Sequence, residues 1–532
     1  MNPNVSSDAA YDVIIIGSGA GGGTLAQRLA PSGKRILIIE RGDFLPRERE
    51  NWDTRAVFEE KRYLAKETWF DKDDKPFEPY THYWVGGNTK VYGAALLRMR
   101  EHDFGEVRHW GGVSPAWPIS YSDLEPYYSE AEHLYSVHGT REPGKRDPYD
   151  PKSSRDYPFG PVAPEPRIAE LMSDLRSLGT NPFPVPLGVR LNERDRAAPP
   201  SHLSQFDGYP DLTEAKADAH VVGIRAALKY PNVSILTRAK VERLDTDERG
   251  RTVREVIVTR DGEPLSLRAD IVVLAAGAIN SAAILLRSSS AKHPNGLANS
   301  SDQVGRNYMT HHNGCFLVVS SEPNSSQFQK HFAITDFYRG APDSPYPLGT
   351  IQLMGKPDPG TIQWLRGDQL PGENLESIQS RTIDFFLTSE DLPSATNRIS
   401  LRADGSLRVA YTPNNLNAYQ RLEVKLRELM TLAERGRGRS QPHFLSSRLG
   451  VGGVSHQNGT LRFGTDPRTS VLDLNCRAHD VENLYAVDGS FFPSSSAVNP
   501  SLTIMANALR IGDHLNRLLG ASQVRQPEVV HA

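Results

Sequence analysis

Two cysteines in 532 residues, Cys315 and Cys476, exclude a disulfide-stapled scaffold, and neither stands in the spacing of a zinc site. Long apolar runs are scarce as well. The longest, Ile271 to Leu286, falls short of a membrane span and carries Asn280 and Ser281, so it reads as strand, turn and helix, and no membrane partner is expected. Neither sign of charge dominates: 61 basic against 64 acidic residues leave a net charge of -3, with no polycationic face for nucleic acid. Small neutral partners fit better. Met1 to Ala10 is short and polar and lacks the basic start and apolar centre of a secretory signal, so a soluble cytoplasmic protein is the expectation. No internal repeat or low-complexity tract is visible, and the length allows several domain equivalents or one interlocked enzyme.

What the chain does have begins at Tyr11. Asp12-Val13-Ile14-Ile15-Ile16 is a β-branched run of the kind that fills a parallel strand buried on both faces, and it stops at Gly17. Gly17-Ser18-Gly19-Ala20-Gly21-Gly22 then fits the G-x-G-x-x-G spacing of a dinucleotide turn, in which glycines permit a tight turn and close approach to a pyrophosphate. A helix carrying Leu25, Ala26 and Leu29 on one face follows and ends before Pro31-Ser32-Gly33. Its N-terminus offers unpaired N–H groups and a positive dipole end to a phosphate. A second strand, Ile36 to Ile39, delivers Glu40 where a carboxylate can bond a ribose 2′-hydroxyl. The motif alone does not choose between FAD and NAD.

Further along, Phe44 to Pro79 shows no sustained period and reads as surface loop and short helix. Val85 to Gly93 forms a second glycine turn, either lying against a flat ligand or closing two strands. Ser120 to Glu132 reads as a helix, and Gly139 to Pro166 as an excursion into a second domain or a lid over a site. Short strands restart at Asn232 to Leu236, Ala239 to Leu244 and Val253 to Thr259, and Ala269 to Leu274 reads as a central parallel strand opening into a helix through Ile284 and Leu285. Phe316 to Leu449 suggests a mainly antiparallel sheet that carries substrate.

Two C-terminal stretches point to chemistry. Ser455-His456-Gln457-Asn458-Gly459-Thr460 places a histidine in a polar, glycine-containing segment, where an imidazole can take a proton. Asn499-Pro500-Ser501 precedes an apolar-periodic segment and reads as N-cap, proline at the first helical position, and helix; Asn499 can also present its amide to a substrate. Leu484 to Val487 is a buried-strand run with Asp488-Gly489 at its carboxyl end, where open α/β sheets bind ligands. His311-His312, on an expected loop without nearby carboxylates, reads as exposed or packing rather than as a metal site, and Arg462 as structural, orienting the histidine segment or pairing with an acid.

Together these pieces resemble the glucose-methanol-choline oxidoreductases: the N-terminal fingerprint, the Gly86-Gly87-Asn88-Thr89 turn, the Gly277-Ala278-Ile279-Asn280-Ser281 segment, and the His-x-x-Gly-Thr and Asn-Pro-x-x-Thr motifs near the C-terminus. The resemblance implies an α/β fold, with a Rossmann-like FAD-binding domain interleaved with an α+β substrate domain on a mainly antiparallel sheet. The expected division gives 1–112, 215–312 and 465–532 to FAD, and 113–214 and 313–464 to substrate. His456 and Asn499 match the family's catalytic pair, and a His-Asn pair is similar to the pyranose 2-oxidase branch and the allied bacterial glycoside 3-oxidases. The cofactor contacts implied are Gly17, Ser18, Gly19, Ala20, Gly21, Gly22, Glu40, Arg41, Gly87, Asn88, Thr89, Val91, Ala276, Gly277, Asn499, Pro500 and Ser501, with Val241 near adenine and Asp488 and Gly489 near the ribityl phosphate. Val91 stands where relatives of that branch tether FAD through a histidine, so noncovalent FAD is expected; His82, before the glycines, is a different position.

The expected reaction is oxidation of a secondary hydroxyl of a sugar, O-glycoside or C-glycoside, C3 favoured over C2. His456 would take the hydroxyl proton as hydride passes to flavin N5, Asn499 would hold the oxygen, and O2 or a quinone-type acceptor would reoxidise the flavin. Rival readings are a non-sugar alcohol dehydrogenase of the same family, a flavin-containing lyase, an NAD-dependent dehydrogenase, which leaves the later glycine turns unexplained, and a non-catalytic flavin-binding module.

Overall fold

Runs of isoleucine and valine with no polar alternation cannot sit on a half-solvated sheet, and here they form its middle. The computed structural model describes residues 10–192, 200, 203–366, 372 and 374–520. Among them, Ala10–Ile16 lies in a seven-stranded sheet, flanked on one side by Ile36–Ile39 and then Val233–Leu236, all parallel. On its other side is the twelve-residue strand Glu263–Leu274, which serves two sheet regions. Its C-terminal half runs parallel to Ala10–Ile16 (Ile16 opposite Leu274) and to Leu484–Ala486. Its N-terminal half pairs antiparallel with Val253–Arg260, which in turn pairs with Ala239–Thr246.

The helix Ala20–Leu29 turns Leu25, Ala26 and Leu29 inward, as its spacing predicts, and is continued by a 3-10 turn, Ala30–Ser32. It packs on the C-terminal helix Ser501–Leu518, where Arg28 pairs with Asp513 at 2.6 Å and with Glu130 at 2.7 Å. The helix Ala278–Arg287 follows the central strand as expected.

A second, six-stranded sheet runs antiparallel throughout, in the order His443–Arg448, His311–Val319, Thr382–Glu390, Thr350–Leu353, Phe332–Ile334, Phe183–Pro184. Phe316, Val318, Ile351 and Phe385 on one face of it are buried with Tyr419, Leu422, Leu426 and Met430 of the helix Leu416–Gly436. The α/β fold with a mainly antiparallel second sheet is the architecture the sequence implies.

Four local expectations fail. His311 and His312 open a strand rather than a loop, and both are about 1% exposed. The stretch Phe44 to Pro79 supplies two short strands, Trp69–Asp71 and Pro76–Phe77, to a four-stranded sheet with Arg398–Leu401 and Leu407–Ala410. Trp69–Asp71 is joined to that sheet by Leu407–Ala410, more than three hundred residues away, and Pro76–Phe77 pairs back on Trp69–Asp71, so no local period announces them. Of the two readings of Gly139 to Pro166, the lid fails: Arg141 pairs with Glu132 at 2.9 Å, which ties the segment to the helix Tyr121–Leu134. Asn499 is not the cap of the last helix. That helix begins at Ser501 behind Pro500, and the Asn499 side chain is engaged elsewhere.

Candidate active site

The parallel strands end at one edge of the first sheet, and the segments that leave them line a single cavity of about 570 Å³. Gly17 to Gly21 form one wall. Gly22 does not line it. A Cβ there would stand 2.0 Å from the Gly17 carbonyl oxygen, so its place is where helix and strand touch. Glu40 accepts from Ser18 Oγ at 2.6 Å, Ser18 N–H at 3.2 Å and Gly42 N–H at 3.0 Å. Burial pushes its carboxyl above the ordinary value against those bonds. The acid thus braces the turn while remaining on the cavity wall. Arg41 stacks on Tyr83, 3.6 Å from the ring centroid, and pairs with Glu67. Val241 and Lys240 come in from Ala239–Thr246.

The second glycine turn lines the same cavity and does not link two strands. Gly87–Lys90 makes one 3-10 turn, with Gly87 at φ +57° and a would-be Cβ 3.1 Å from Gly19 Cα, so the two glycine turns lie against each other. Gly86 N–H donates to Ser18 Oγ at 3.1 Å, and Thr89 Oγ1 bonds the Gly86 carbonyl at 2.6 Å. Asp488, at the end of Leu484–Ala486, accepts from Gly277 N–H at 3.0 Å, Ser490 N–H at 2.9 Å and the Ser281 hydroxyl. Burial raises its carboxyl as well. One carboxylate therefore ties the C-terminal segment to the start of the helix Ala278–Arg287, and Ala276, Gly277 and Gly489 complete that wall.

His456 and Asn499, with Pro500 and Ser501, stand on the same cavity. His456 Nδ1 lies 2.8 Å from His311 Nδ1 and 3.2 Å from the Asn313 side-chain amide, and the two imidazoles meet at 90°. His456 Nε2 has no hydrogen-bond partner among the described residues. Burial, then the neighbouring His311 and Lys330, hold its pKa well below the usual histidine value, so the neutral ring is the resting form. Asn499 Oδ1 accepts from Gln352 Nε2 at 2.7 Å, which directs the amide nitrogen away from Gln352. Gln352 Oε1 and Asn313 Oδ1 are buried and without partners among the described residues. A neutral imidazole nitrogen, an amide donor and carbonyl oxygens without partners are groups that can accept a hydroxyl proton and bind further hydroxyls.

All of the sequence-picked residues except Gly22 thus meet on one cavity, Val91 included. Sequence reading missed the floor, which the antiparallel sheet supplies: Asn313, Cys315, Gln352, Met354 and Phe386, with Lys330 paired to Asp207 at 2.5 Å. The signal was available in part, because His311, Asn313 and Cys315 alternate as one face of a strand does. Arg462 pairs with no acid among the described residues; it donates to the Thr469 carbonyl at 2.9 Å, a structural role.

The cavity fits FAD by its own chemistry. Two glycine turns in contact leave room for a pyrophosphate beside a helix N-terminus, the volume is that of a small-molecule site (about 300–1,000 Å³), and the far wall holds groups suited to an alcohol.

A family model described as GMC oxidoreductase matches residues 11–313 with its N-terminal part and 393–508 with its C-terminal part. The 6'''-hydroxyparomomycin C oxidase of Streptomyces lividus is 32% identical over 540 residues, which cover 96% of this chain and 93% of that protein. Paromamine 6'-oxidase of Streptomyces fradiae is 30% identical, covering 94% and 91%. Among solved structures, pyridoxine 4-oxidase from Mesorbium loti superposes with a TM-score of 0.63 at 18% identity over 95% of this chain and 99% of that one, a likeness of fold.

Proposed function

From the premise that this chain belongs to the GMC oxidoreductase family and is an FAD-dependent oxidoreductase of CH–OH groups, we propose that it oxidises a ring secondary hydroxyl of a neutral sugar or glycoside to the keto-sugar. The observation that carries this reading is the juxtaposition of His456, with a free ring nitrogen, and Asn499 on the cavity that also holds the nucleotide turn. When bound, FAD supplies a hydride acceptor. Gly17 to Gly21, Gly87 to Thr89, Val241, Ala276, Gly277, Asp488 and Gly489 would hold it, noncovalently, since Val91 offers no nucleophile. His456 takes the hydroxyl proton at Nε2. Asn499 donates to the same oxygen, so negative charge grows against a fixed donor. Gln352 accepts from a hydroxyl on a neighbouring carbon, which favours a polyol ring over an isolated alcohol.

Charge favours a neutral substrate. Among the described residues, Asp207 on the cavity wall is paired with the buried Lys330, whose ammonium disfavours a second cation beside it. Within the ring, C3 is preferred to C2 on the resemblance to the glycoside 3-oxidases alone. A second reading, oxidation at a 6' position, is favoured by the names of the two Streptomyces relatives.

Anaerobic mixing with a panel of monosaccharides, O-glycosides, C-glycosides and paromamine, followed by identification of the product, tests the choice. A 3-keto product supports the first reading, and a 6'-aldehyde replaces it with the second. His456→Ala is expected to slow flavin reduction about 100- to 10,000-fold while FAD stays bound. Near-normal bleaching in that variant rejects His456 as the base.

A further inference from the structure

We infer that His311 is a positioning residue that holds the His456 ring in the tautomer with its proton on Nδ1, leaving Nε2 bare toward the cavity. The inference rests on the reading of His456 as the proton acceptor and explains why that ring nitrogen, and not the other, is free to act.

The argument starts behind His311. Its Nε2 lies 3.2 Å from the Ser495 carbonyl oxygen and 3.1 Å from that of Ser496. Carbonyls only accept, so this nitrogen carries a proton. Burial holds the His311 pKa below the usual value, so the ring is neutral and its Nδ1 is bare. The contact of 2.8 Å between the two Nδ1 atoms then needs a proton from His456. With Nδ1 protonated and the ring neutral, Nε2 holds the lone pair.

Asn313 does not decide the matter, because an amide can serve either tautomer. It does agree. Turned so that Oδ1 meets the His456 proton at the 3.2 Å contact, it gives a partner to an oxygen that otherwise has none. His311 can serve only one tautomer, because its own far nitrogen is committed.

That commitment is built into the fold. Ser496 sits at φ +55°, a left-handed conformation uncommon for serine. Its N–H donates to Glu390 Oε1 at 2.8 Å, and Ser114 Oγ donates to the same oxygen at 2.7 Å. His109 Nε2 lies 3.1 Å from Glu390 Oε2. Glu390 faces His311 across the strand pair. The carbonyls that orient His311 are therefore fixed by a buried carboxylate on the adjacent strand.

The test is the holoenzyme labelled with 15N-histidine, the His456 signals being identified by their loss in His456→Ala. A proton-bearing Nδ1 and a bare Nε2 on His456 are expected; a protonated Nε2 overturns the inference, with or without activity. Two variants separate orientation from packing. His311→Asn keeps an acceptor where Nδ1 stood, and His311→Gln keeps the donor to the carbonyls but presents nothing to His456. With methyl β-D-glucopyranoside as anaerobic reductant, His311→Gln is expected to reduce its flavin about tenfold more slowly, the value of one buried hydrogen bond, with His311→Asn close to the parent and FAD content equal in both. Equal rates in the two variants overturn the role. Normal reduction by His456→Ala would instead defeat the proposed base and leave the 15N result standing. Should neither His311 variant fold, the 15N measurement on the parent protein decides.

Discussion

At His456 the surroundings act on the ring in the same sense from two sides, burial first and then the neighbouring His311 and Lys330, each lowering the pKa. A depressed histidine pKa keeps the neutral, proton-accepting form below the ordinary value of about 6.5. The rate constant of anaerobic flavin reduction is therefore expected to stay flat as pH falls from 8 to 6. A titration centred near 6.5 would mean that the ring is solvated. The residues that surround His456 differ in how far they could be read from the sequence. His456 and Asn499 stand in motifs, and a motif is a local pattern. Gln352 is an isolated glutamine in a short strand, and only the pairing of Thr350–Leu353 with Thr382–Glu390 brings it to Asn499. His311 was visible as a histidine, but its meaning lies 145 residues away in the ring it faces.

Elements succeed or fail as predictions according to where their partners lie. The first βαβ unit was legible to within a residue or two, because a buried isoleucine strand, a glycine turn and an amphipathic helix specify themselves. Trp69–Asp71 was not, since its sheet is completed by Leu407–Ala410. The second glycine turn lies between these cases. Its glycines are obvious, and its use follows only from its contact with the first. Gly87→Val places a branched side chain against Gly19 at a positive φ, so the protein is expected to fold and lose FAD, read as the ratio of absorbance near 450 nm to that at 280 nm. Retention of full colour would remove the turn from the cofactor wall.

The strand Thr382–Glu390 carries a different liability. Burial raises Asp384 to about 7 against hydrogen bonds from Gln329 and Thr382 and the charge of Lys356. A raised folded value means that its stabilising contribution is complete below the unfolded carboxyl pKa and is lost as pH rises through 7. Asp384→Asn removes the titrating proton at nearly constant shape. Its Tm is expected to fall less than the parent's between pH 4.5 and 7.5, and parallel curves would contradict the assignment.

At the scale of the whole molecule, two sheets meet over one cavity, the first giving it the nucleotide turn and the second its floor. The first was legible because nucleotide turns are short motifs, and the second only as a bias toward antiparallel strands. No candidate for a covalent tether follows from the position of Val91, so acid precipitation of the holoenzyme is expected to release all of its yellow colour into the supernatant. Colour retained by the pellet would show a bond to the polypeptide.

Leu484–Ala486 pairs with the centre of a sheet whose other strands are complete by Leu274, and the walls made by Asp488 and Asn499 come later still. A ribosome making this chain finishes nearly everything before it delivers the strand that closes the gap. A chain broken before Leu484 is therefore expected to lack both this strand and the Asp488 and Asn499 walls, and with them any activity.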